Sequence, residues 1–220
     1  MSAATEAAAA YGYGIALLAH VGLAAYLLLS GRPIAARRSV SWSFLAALLA
    51  TGAWAGALLL GYVQPELEQP GLAHALDLLR YGLWFAFMLA LFRREPAGTA
   101  RRGPKVLRAL ALLSLGLAAV LALANLNSSG GSELARLQIV VALSLPVCGL
   151  LMLEQIFRNL GEDSRWNAKP VCMALACVFL FDGYLFSESL LFGRFDADAL
   201  NLRGLAHSLA VPFQIGRAHV

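Results

Sequence analysis

The stretch that decides the fold is CVFLFDGYLFSESLLFGRFD, residues 177–196. It is apolar enough for a membrane-spanning helix, yet it carries Asp182, Ser187 and Glu188. An ionisable group at the centre of a spanning helix costs about 2.5–3.5 kcal/mol on insertion scales, so such groups usually face the interior of a helix bundle and find a partner there. The stretch therefore predicts one helix of a membrane bundle with a polar core.

The composition of the whole chain favours the membrane. Of the 220 residues, 60% are hydrophobic and only 14% are charged, whereas a soluble domain has about 45–50% and about 25%. The net charge of +4 comes from short loops between apolar runs and forms no basic stripe with interleaved aromatic residues, which argues against a nucleic-acid partner. The expected partner of this surface is the lipid bilayer.

Apolar runs of about 20 residues, the length of a spanning helix, predict an all-α, polytopic helix bundle. Six runs qualify, and a seventh helix begins near Arg203: the six are residues 8–30, 40–63, 73–92, 106–125, 134–157 and 170–192. The breaks between them carry Gly, Pro, Asn and Ser, which favour loops.

Lysine and arginine residues in short loops predict the orientation of the bundle, because they are enriched on the cytoplasmic side. The first, third and fifth loops hold twelve of them: Arg32, Arg37, Arg38, Arg93, Arg94, Arg101, Arg102, Lys105, Arg108, Arg158, Arg165 and Lys169. The other side holds three: Arg136, Arg194 and Arg203. This bias places the N-terminus outside and returns a seventh helix to the cytoplasm.

The end of the sequence is unusual for a membrane protein. After Gly204 only LAHSLAVPFQI is apolar, about half of a span, and a helix ending there would leave carbonyl groups unsatisfied in hydrocarbon. The tail IGRAHV is similar to the translation of a sequencing adapter. We therefore expect a membrane domain over residues 1–214, a truncated last helix and a non-native tail over residues 215–220; the alternative is a genuine short C-terminus.

The polar residues of the sixth predicted helix are candidates for a polar core. Asp182 lies near its middle and Glu188 nearer the outside, about 120° apart around the helix, whereas Tyr184 and Glu188 share a face. Asp182, Tyr184, Ser187 and Glu188 could sense a ligand or a proton, or they could only fix how the helices pack; both alternatives stay open.

Arg80 in the third predicted helix completes the predicted polar core. We expect it to face inward, because a charged side chain in a spanning helix seeks a partner. Its position, about two turns into the helix, matches the expected depth of Glu188, which is one possible partner. Asp77, three residues earlier, is an equally good local one.

The segment LEQIFRN contains Glu154, Gln155 and Arg158 at the cytoplasmic end of the fifth predicted helix. Glu154 and Arg158 have the spacing of a local helical ion pair. The alternative is that these residues transmit movement to whatever follows the last helix. No catalytic motif, metal-ligand spacing or cofactor loop is present in the sequence, so we predict no catalytic residue, metal or cofactor here.

Residues 153–212 carry several short motifs in order: LEQ-x-x-RN, then RW followed by a lysine, then F-x-x-D-x-Y-L-x-S-x-x-LLF-x-R-x-D, then RG and VP. In these the chain resembles the membrane-embedded N-terminal region of PrsK-type histidine kinases of the exosortase (PEP-CTERM) system. The resemblance implies a multi-pass sensor domain in the bacterial inner membrane, followed by cytoplasmic GAF and kinase modules, and linked to exopolysaccharide regulation.

The same resemblance implies the partners of the full-length protein. A histidine kinase is expected to form a homodimer and to phosphorylate a response regulator, both through the missing part. The phosphorylated histidine would also lie there, so neither His207 nor His219 corresponds to it. This fragment is expected to have no enzymatic activity. The alternative function is a small-solute transporter or another polytopic membrane protein; an intramembrane enzyme is disfavoured.

Overall fold

A computed structural model describes residues 3–30, 38–67, 69–92, 103–127, 132–159 and 162–215. These residues form seven α-helices and one short 3-10 turn at Pro65–Leu67, with no β-strand among them. The helices are α1 (Ala3–Ser30), α2 (Arg38–Val63), α3 (Pro70–Phe92), α4 (Gly103–Asn127), α5 (Ser132–Asn159), α6 (Glu162–Phe192) and α7 (Ala197–Ile215). The prediction of an all-α fold is confirmed for the described residues.

Six of these helices, α1 to α6, are long and apolar enough to cross a membrane. Their apolar segments agree closely with the six runs predicted from the sequence: Glu6–Ser30, Val40–Val63, Pro70–Leu91, Lys105–Ala124, Glu133–Asn159 and Lys169–Phe192. Helix α7 is not one of the six. Of the predicted non-native tail, only Ile215 falls within the described residues.

At one end of the bundle, α2 is joined to α3 and α6 to α7 by short connections. Pro70 opens α3 at the first helical position, where its missing N–H costs nothing. Helix α6 ends before Gly193, whose φ of +67° is the left-handed conformation that terminates helices. Asp196 then caps α7, because its Oδ1 accepts hydrogen bonds from the backbone N–H groups of Asp198 (2.7 Å) and Ala199 (3.3 Å).

One predicted loop was too long. The segment after the fifth apolar run, with its Gly, Asp, Asn and Pro, suggested a break up to Pro170. In the structure α6 already begins at Glu162, so Pro170 lies inside the helix. Acidic residues at the start of a helix are favourable. Helix α6 therefore begins in a polar segment, ahead of the apolar part that packs into the core.

The helices form a closed ring in chain order. Each helix packs against the next one in sequence, and α1 also packs against α7. The α1–α7 crossing is very close: a Cβ atom added to Gly204 would lie 2.7 Å from the backbone nitrogen of Tyr13, and one added to Gly12 would lie 3.0 Å from that of Leu205. Only glycine allows these two backbones to approach so closely.

Two groups of buried apolar side chains fill the ring. The larger one includes Phe85, Met152 and Phe179 and draws residues from all seven helices, with Phe179 lying against Gly149 of α5. The smaller one packs α1 against α2 and contains Tyr13 and Trp54. Charged side chains from α3, α6 and α7 lie between the two groups.

Candidate functional site

The charged side chains inside the ring are Asp77 and Arg80 of α3, Asp182 of α6 and Arg203 of α7; we call these four residues the ion cluster. Asp182 is completely inaccessible, Arg80 is 1% exposed and Arg203 is 7% exposed. Asp77 is the most accessible, with 13% of its side chain exposed. A membrane protein keeps such groups inside only where they can pair.

The ion cluster lies at one depth in the bundle. Arg80 comes ten residues after the start of α3 at Pro70, and Asp182 comes ten residues before the end of α6 at Phe192. At 1.5 Å of rise per residue, both are roughly 15 Å from the end of the bundle that carries the α2–α3 and α6–α7 connections. Because α3 and α6 run in opposite directions, Arg80 and Asp182 lie at the same depth in the bundle.

Asp182 is the centre of the ion cluster. Its Oδ1 accepts a hydrogen bond from Nε of Arg203 at 2.7 Å, and its Oδ2 accepts one from Nη2 of the same guanidinium at 3.1 Å. Arg80 Nη2 donates to Oδ2 at 3.0 Å, and the Tyr81 hydroxyl donates to the same oxygen at 2.6 Å. The fork of Arg203 thus binds the carboxylate in the two-point geometry that gives the strongest ion pairs.

Asp77 joins the same two arginines from the other side. Arg80 donates to its Oδ1 from Nε at 2.9 Å and from Nη2 at 2.6 Å. Arg203 Nη2 reaches its Oδ2 at 3.0 Å. Each carboxylate therefore faces both guanidinium groups, and the two negative and two positive charges balance.

Aromatic rings line the ion cluster on one side. The guanidinium carbon of Arg80 lies 4.6 Å from the centroid of the Trp54 ring, and that of Arg203 lies 4.8 Å from it. Both distances are within the range of cation–π attraction. His207 lies 4.8 Å from the same indole, and its Nε2 is 3.5 Å from Oδ1 of Asp182. The arginines are thus held between carboxylates and ring faces.

This arrangement makes the pairing of the helices specific, although it adds little net stability. Removing charges from water costs several kcal/mol per ion, which the attraction within a buried pair roughly offsets, whereas the loss of one partner costs about 3–5 kcal/mol. Any displacement of α7 would separate Arg203 from the carboxylates of Asp77 and Asp182. The ion cluster therefore opposes small shifts of α7 relative to α3 and α6.

The predicted polar-core residues divide into two sets. Arg80 and Asp182 face inward and meet in the ion cluster. Tyr184 is 56% exposed, Ser187 is partly buried, and Glu188 interacts with Tyr184 one turn earlier. These three residues of α6 lie outside the ion cluster.

Of the two partners proposed for Arg80, the structure pairs it with Asp77 and not with Glu188. Helix α3 begins at Pro70, three residues earlier than the apolar run suggested. Arg80 is consequently deeper in the bundle, at the level of Asp182, and that carboxylate is its second partner.

The residues at the far end of α5 form local contacts. Arg158 Nη1 lies 3.2 Å from Oε1 of Glu154, and both side chains are more than half exposed. Gln155 accepts a hydrogen bond from Asn159 through its backbone oxygen at 2.6 Å. The pair is a surface contact of about 0.3–0.5 kcal/mol.

Sequence reasoning missed Arg203 as an interior residue. Arg203 was counted with the outer loops, because it follows the polar segment after Gly193. A usable signal was nevertheless present: Asp77, Arg80, Tyr81 and Trp84 have helical spacing on one face of α3, and Arg203 and His207 are four apart on α7. Two charged helical faces in one membrane bundle favour a contact between them.

The hydroxyl of Tyr81 allows the ion cluster to be tested without a change of charge. Tyr81→Phe removes one donor to Asp182 without changing any charge, so we expect the free energy of unfolding to fall by about 1–2 kcal/mol. The measurement is unfolding of the purified chain in mixed micelles with increasing sodium dodecyl sulfate. The control is Tyr184→Phe, which removes an exposed hydroxyl; equal losses in the two variants would contradict the assignment.

Comparison with known proteins gives this site no precedent. No family model matches the chain, and no curated protein and no solved structure is significantly similar to it.

Proposed function

We propose that this chain is the membrane input region of a bacterial two-component histidine kinase of the PrsK type. The observation that carries the proposal is the ion cluster, which fastens α7 to α3 and α6 through Arg203. In a sensor, the helix that leads to the kinase must respond to changes elsewhere in the membrane domain. A charge cluster with alternative pairings can act as the two-state element that such signalling needs.

The proposed orientation has the N-terminus outside and α7 running back towards the cytoplasm as a seventh spanning helix. Because Arg203 is buried in the ion cluster, it no longer counts as an outer-loop residue. The outer side then has only Arg136 and Arg194 against twelve basic residues in the opposite connections and the helix ends beside them, several of which lie outside the described residues. The stronger bias supports this orientation in the bacterial inner membrane.

The helices that carry the ion cluster favour a sensor over a transporter. Transporters commonly bind substrates and ions where spanning helices are broken near the midplane. Helices α3, α6 and α7 are continuous through Arg80, Asp182 and Arg203. Every charged group of the ion cluster also has an opposite charge beside it, and this arrangement is better suited to holding helices than to carrying an ion.

The intact gene provides the test. We expect its reading frame to continue from α7 into GAF and kinase modules, and the full-length protein in proteoliposomes to autophosphorylate with ATP. Arg203→Lys keeps the charge but loses the two-point contact with Asp182, so it should change the rate of autophosphorylation several-fold.

The matched control is Arg136→Lys, at an exposed position of α5, which should leave the rate unchanged. A reading frame without a kinase, or equal rates in the wild type and both variants, would overturn the proposal. Solute uptake by proteoliposomes of a protein without kinase modules would favour the transporter.

A further inference from the structure

His207 of α7 lies against the ion cluster without being one of its four charges. It comes ten residues after the start of α7 at Ala197. At 1.5 Å of rise per residue it is therefore roughly 15 Å from that end of the bundle, at the depth of Arg80 and Asp182. It is 1% exposed, so the charge state of its ring depends on the side chains around it rather than on water.

The contacts of this imidazole require its neutral form. Nη1 of Arg80 lies 3.2 Å from Nδ1 and 3.3 Å from Nε2 of the ring, and Nε2 also lies 3.5 Å from Oδ1 of Asp182. A guanidinium group only donates hydrogen bonds, so one ring nitrogen must keep a lone pair to accept from Arg80. A protonated ring has no such lone pair and would turn an N–H group towards a second cation.

The other groups around His207 also oppose a proton on it. The two carboxylates of the ion cluster are already matched by its two guanidinium groups, so a proton on the ring would add a third positive charge to a balanced set. The charged groups are Asp77 and Arg80 of α3, Asp182 of α6 and Arg203 of α7. Within the described part of the chain, the titratable side chains that the neighbouring helices add in this region are uncharged at neutral pH: Tyr13 and His20 of α1, Tyr62 of α2 and Tyr81 of α3.

Contact with water would reverse this preference. A histidine that is exposed to water takes up its proton near pH 6.5. The proton therefore binds a separated arrangement, in which α7 has moved away from α3, and not the closed arrangement with the contacts above. By mass action it stabilises the arrangement that it binds. For one such histidine, the ratio of separated to closed molecules rises about tenfold between pH 7.5 and pH 5.5.

The most accessible member of the ion cluster lies on the outer side of His207. Asp77 comes seven residues after the start of α3 at Pro70, roughly 10 Å from the end of the bundle, and 13% of its side chain is exposed. The edge of the ion cluster that meets water is thus directed towards the α2–α3 and α6–α7 connections. In the proposed orientation, this end is the outer face.

We propose that the ligand of this membrane domain is the proton, and that it acts at His207. A proton that binds the ring in the separated arrangement prevents Arg80 from returning to it, and so holds α7 away from α3. Acid on the outer side then favours the separated arrangement. Only the use of this movement as a signal rests on the proposed function; the movement itself does not require a kinase.

A cysteine at a buried position of α6 measures the separation. Ser189 is fully buried, its hydroxyl has no hydrogen-bond partner in the described chain, and it shares a helix face with Asp182. Ser189→Cys is therefore the probe, and Leu191→Cys, at a position that is 79% exposed, is the reference that corrects for the pH dependence of thiol chemistry. Both chains are labelled in nanodiscs with a charged methanethiosulfonate, after replacement of the native cysteines by alanine: Cys148, Cys172 and Cys177.

We expect the labelling rate of Ser189→Cys, relative to that of Leu191→Cys, to rise about tenfold from pH 7.5 to pH 5.5. His207→Gln keeps a donor and an acceptor but cannot take up a proton, so it should hold this ratio constant. Exchange of the other three histidines for glutamine should preserve the tenfold rise: these are His20, His74 and His219. Unfolding curves at pH 7.5 establish that each variant is folded, and His207→Asn replaces His207→Gln if the latter is not.

Three results would overturn the proposal. They are a constant ratio in the chain with its native histidines, a tenfold rise in a folded His207 variant, and loss of the rise in the folded variant that retains His207 alone. A working kinase with a constant ratio would refute the proton as the ligand and leave the proposed function in place. A tenfold rise in a protein without kinase modules would refute the proposed function and leave the acid response in place.

Discussion

Replacing Asp182 by asparagine is expected to destabilise the folded chain by about 3–5 kcal/mol. The substitution keeps the size of the side chain but leaves two buried guanidinium groups with one carboxylate, and an uncompensated buried charge carries a penalty of that order. Of the two arginines, Arg203 loses more of its pairing, because its two-point contact is made with Asp182. Unfolding in mixed micelles, followed by tryptophan fluorescence, measures the loss.

Two further variants make this result specific. Glu154→Gln also breaks a carboxylate–arginine pair, but the pair is exposed, so the loss should stay near 0.5 kcal/mol or below. Combining Asp182→Asn with Arg203→Gln restores the charge balance, and the double variant should lose less than the two single variants together. Additive losses, or a loss no larger than that of Glu154→Gln, would refute the central place of Asp182.

The second large effect is expected at the crossing of α1 and α7. Gly204→Ala places a Cβ atom 2.7 Å from the backbone nitrogen of Tyr13 and 2.8 Å from its ring. A backbone atom cannot turn aside as a flexible side chain can, so the helices must separate, at a cost of about 1–3 kcal/mol. Gly204→Leu should prevent the crossing and abolish the folded state.

The matched control for this prediction is Gly116→Ala in α4, where an added Cβ atom meets nothing within 4 Å. It should unfold at the same detergent concentration as the wild type, or slightly higher, because alanine is the better helix former. Gly12→Ala, with a contact of 3.0 Å, should fall between the two. Equal stability of Gly204→Ala and Gly116→Ala would show that the close crossing does not determine the fold.

The sequence predicted the helices better than the contacts between them. Spanning length and hydropathy are local properties, so the apolar segments of α1 to α6 could be located to within a few residues. The inward orientation of Asp182 and Arg80 also followed from local reasoning, since a charge in a spanning helix avoids lipid. These statements need no knowledge of which helices are neighbours.

The partners of those charges could not be derived in the same way. Pairing depends on the depth of each residue, and an error of three residues at the start of α3 moves Arg80 by roughly 4–5 Å along the helix axis. Arg203 was misplaced for a related reason, because the four-residue connection at Gly193–Asp196 ends sooner than its polar neighbours suggest. The closure of α7 onto α1 has no local signal except the small residue at Gly204.

The order of the charges along the chain bears on how the protein is made. Asp77 and Arg80 are one turn apart and pair directly, so α3 can leave the ribosome and enter the bilayer already neutralised. Asp182 has no such companion within its own helix, because Arg203 follows 21 residues later on α7. Helices α6 and α7 would therefore be inserted together as a hairpin, and α1, although synthesised before the other helices, would acquire α7 as a neighbour only after the other six helices have been made.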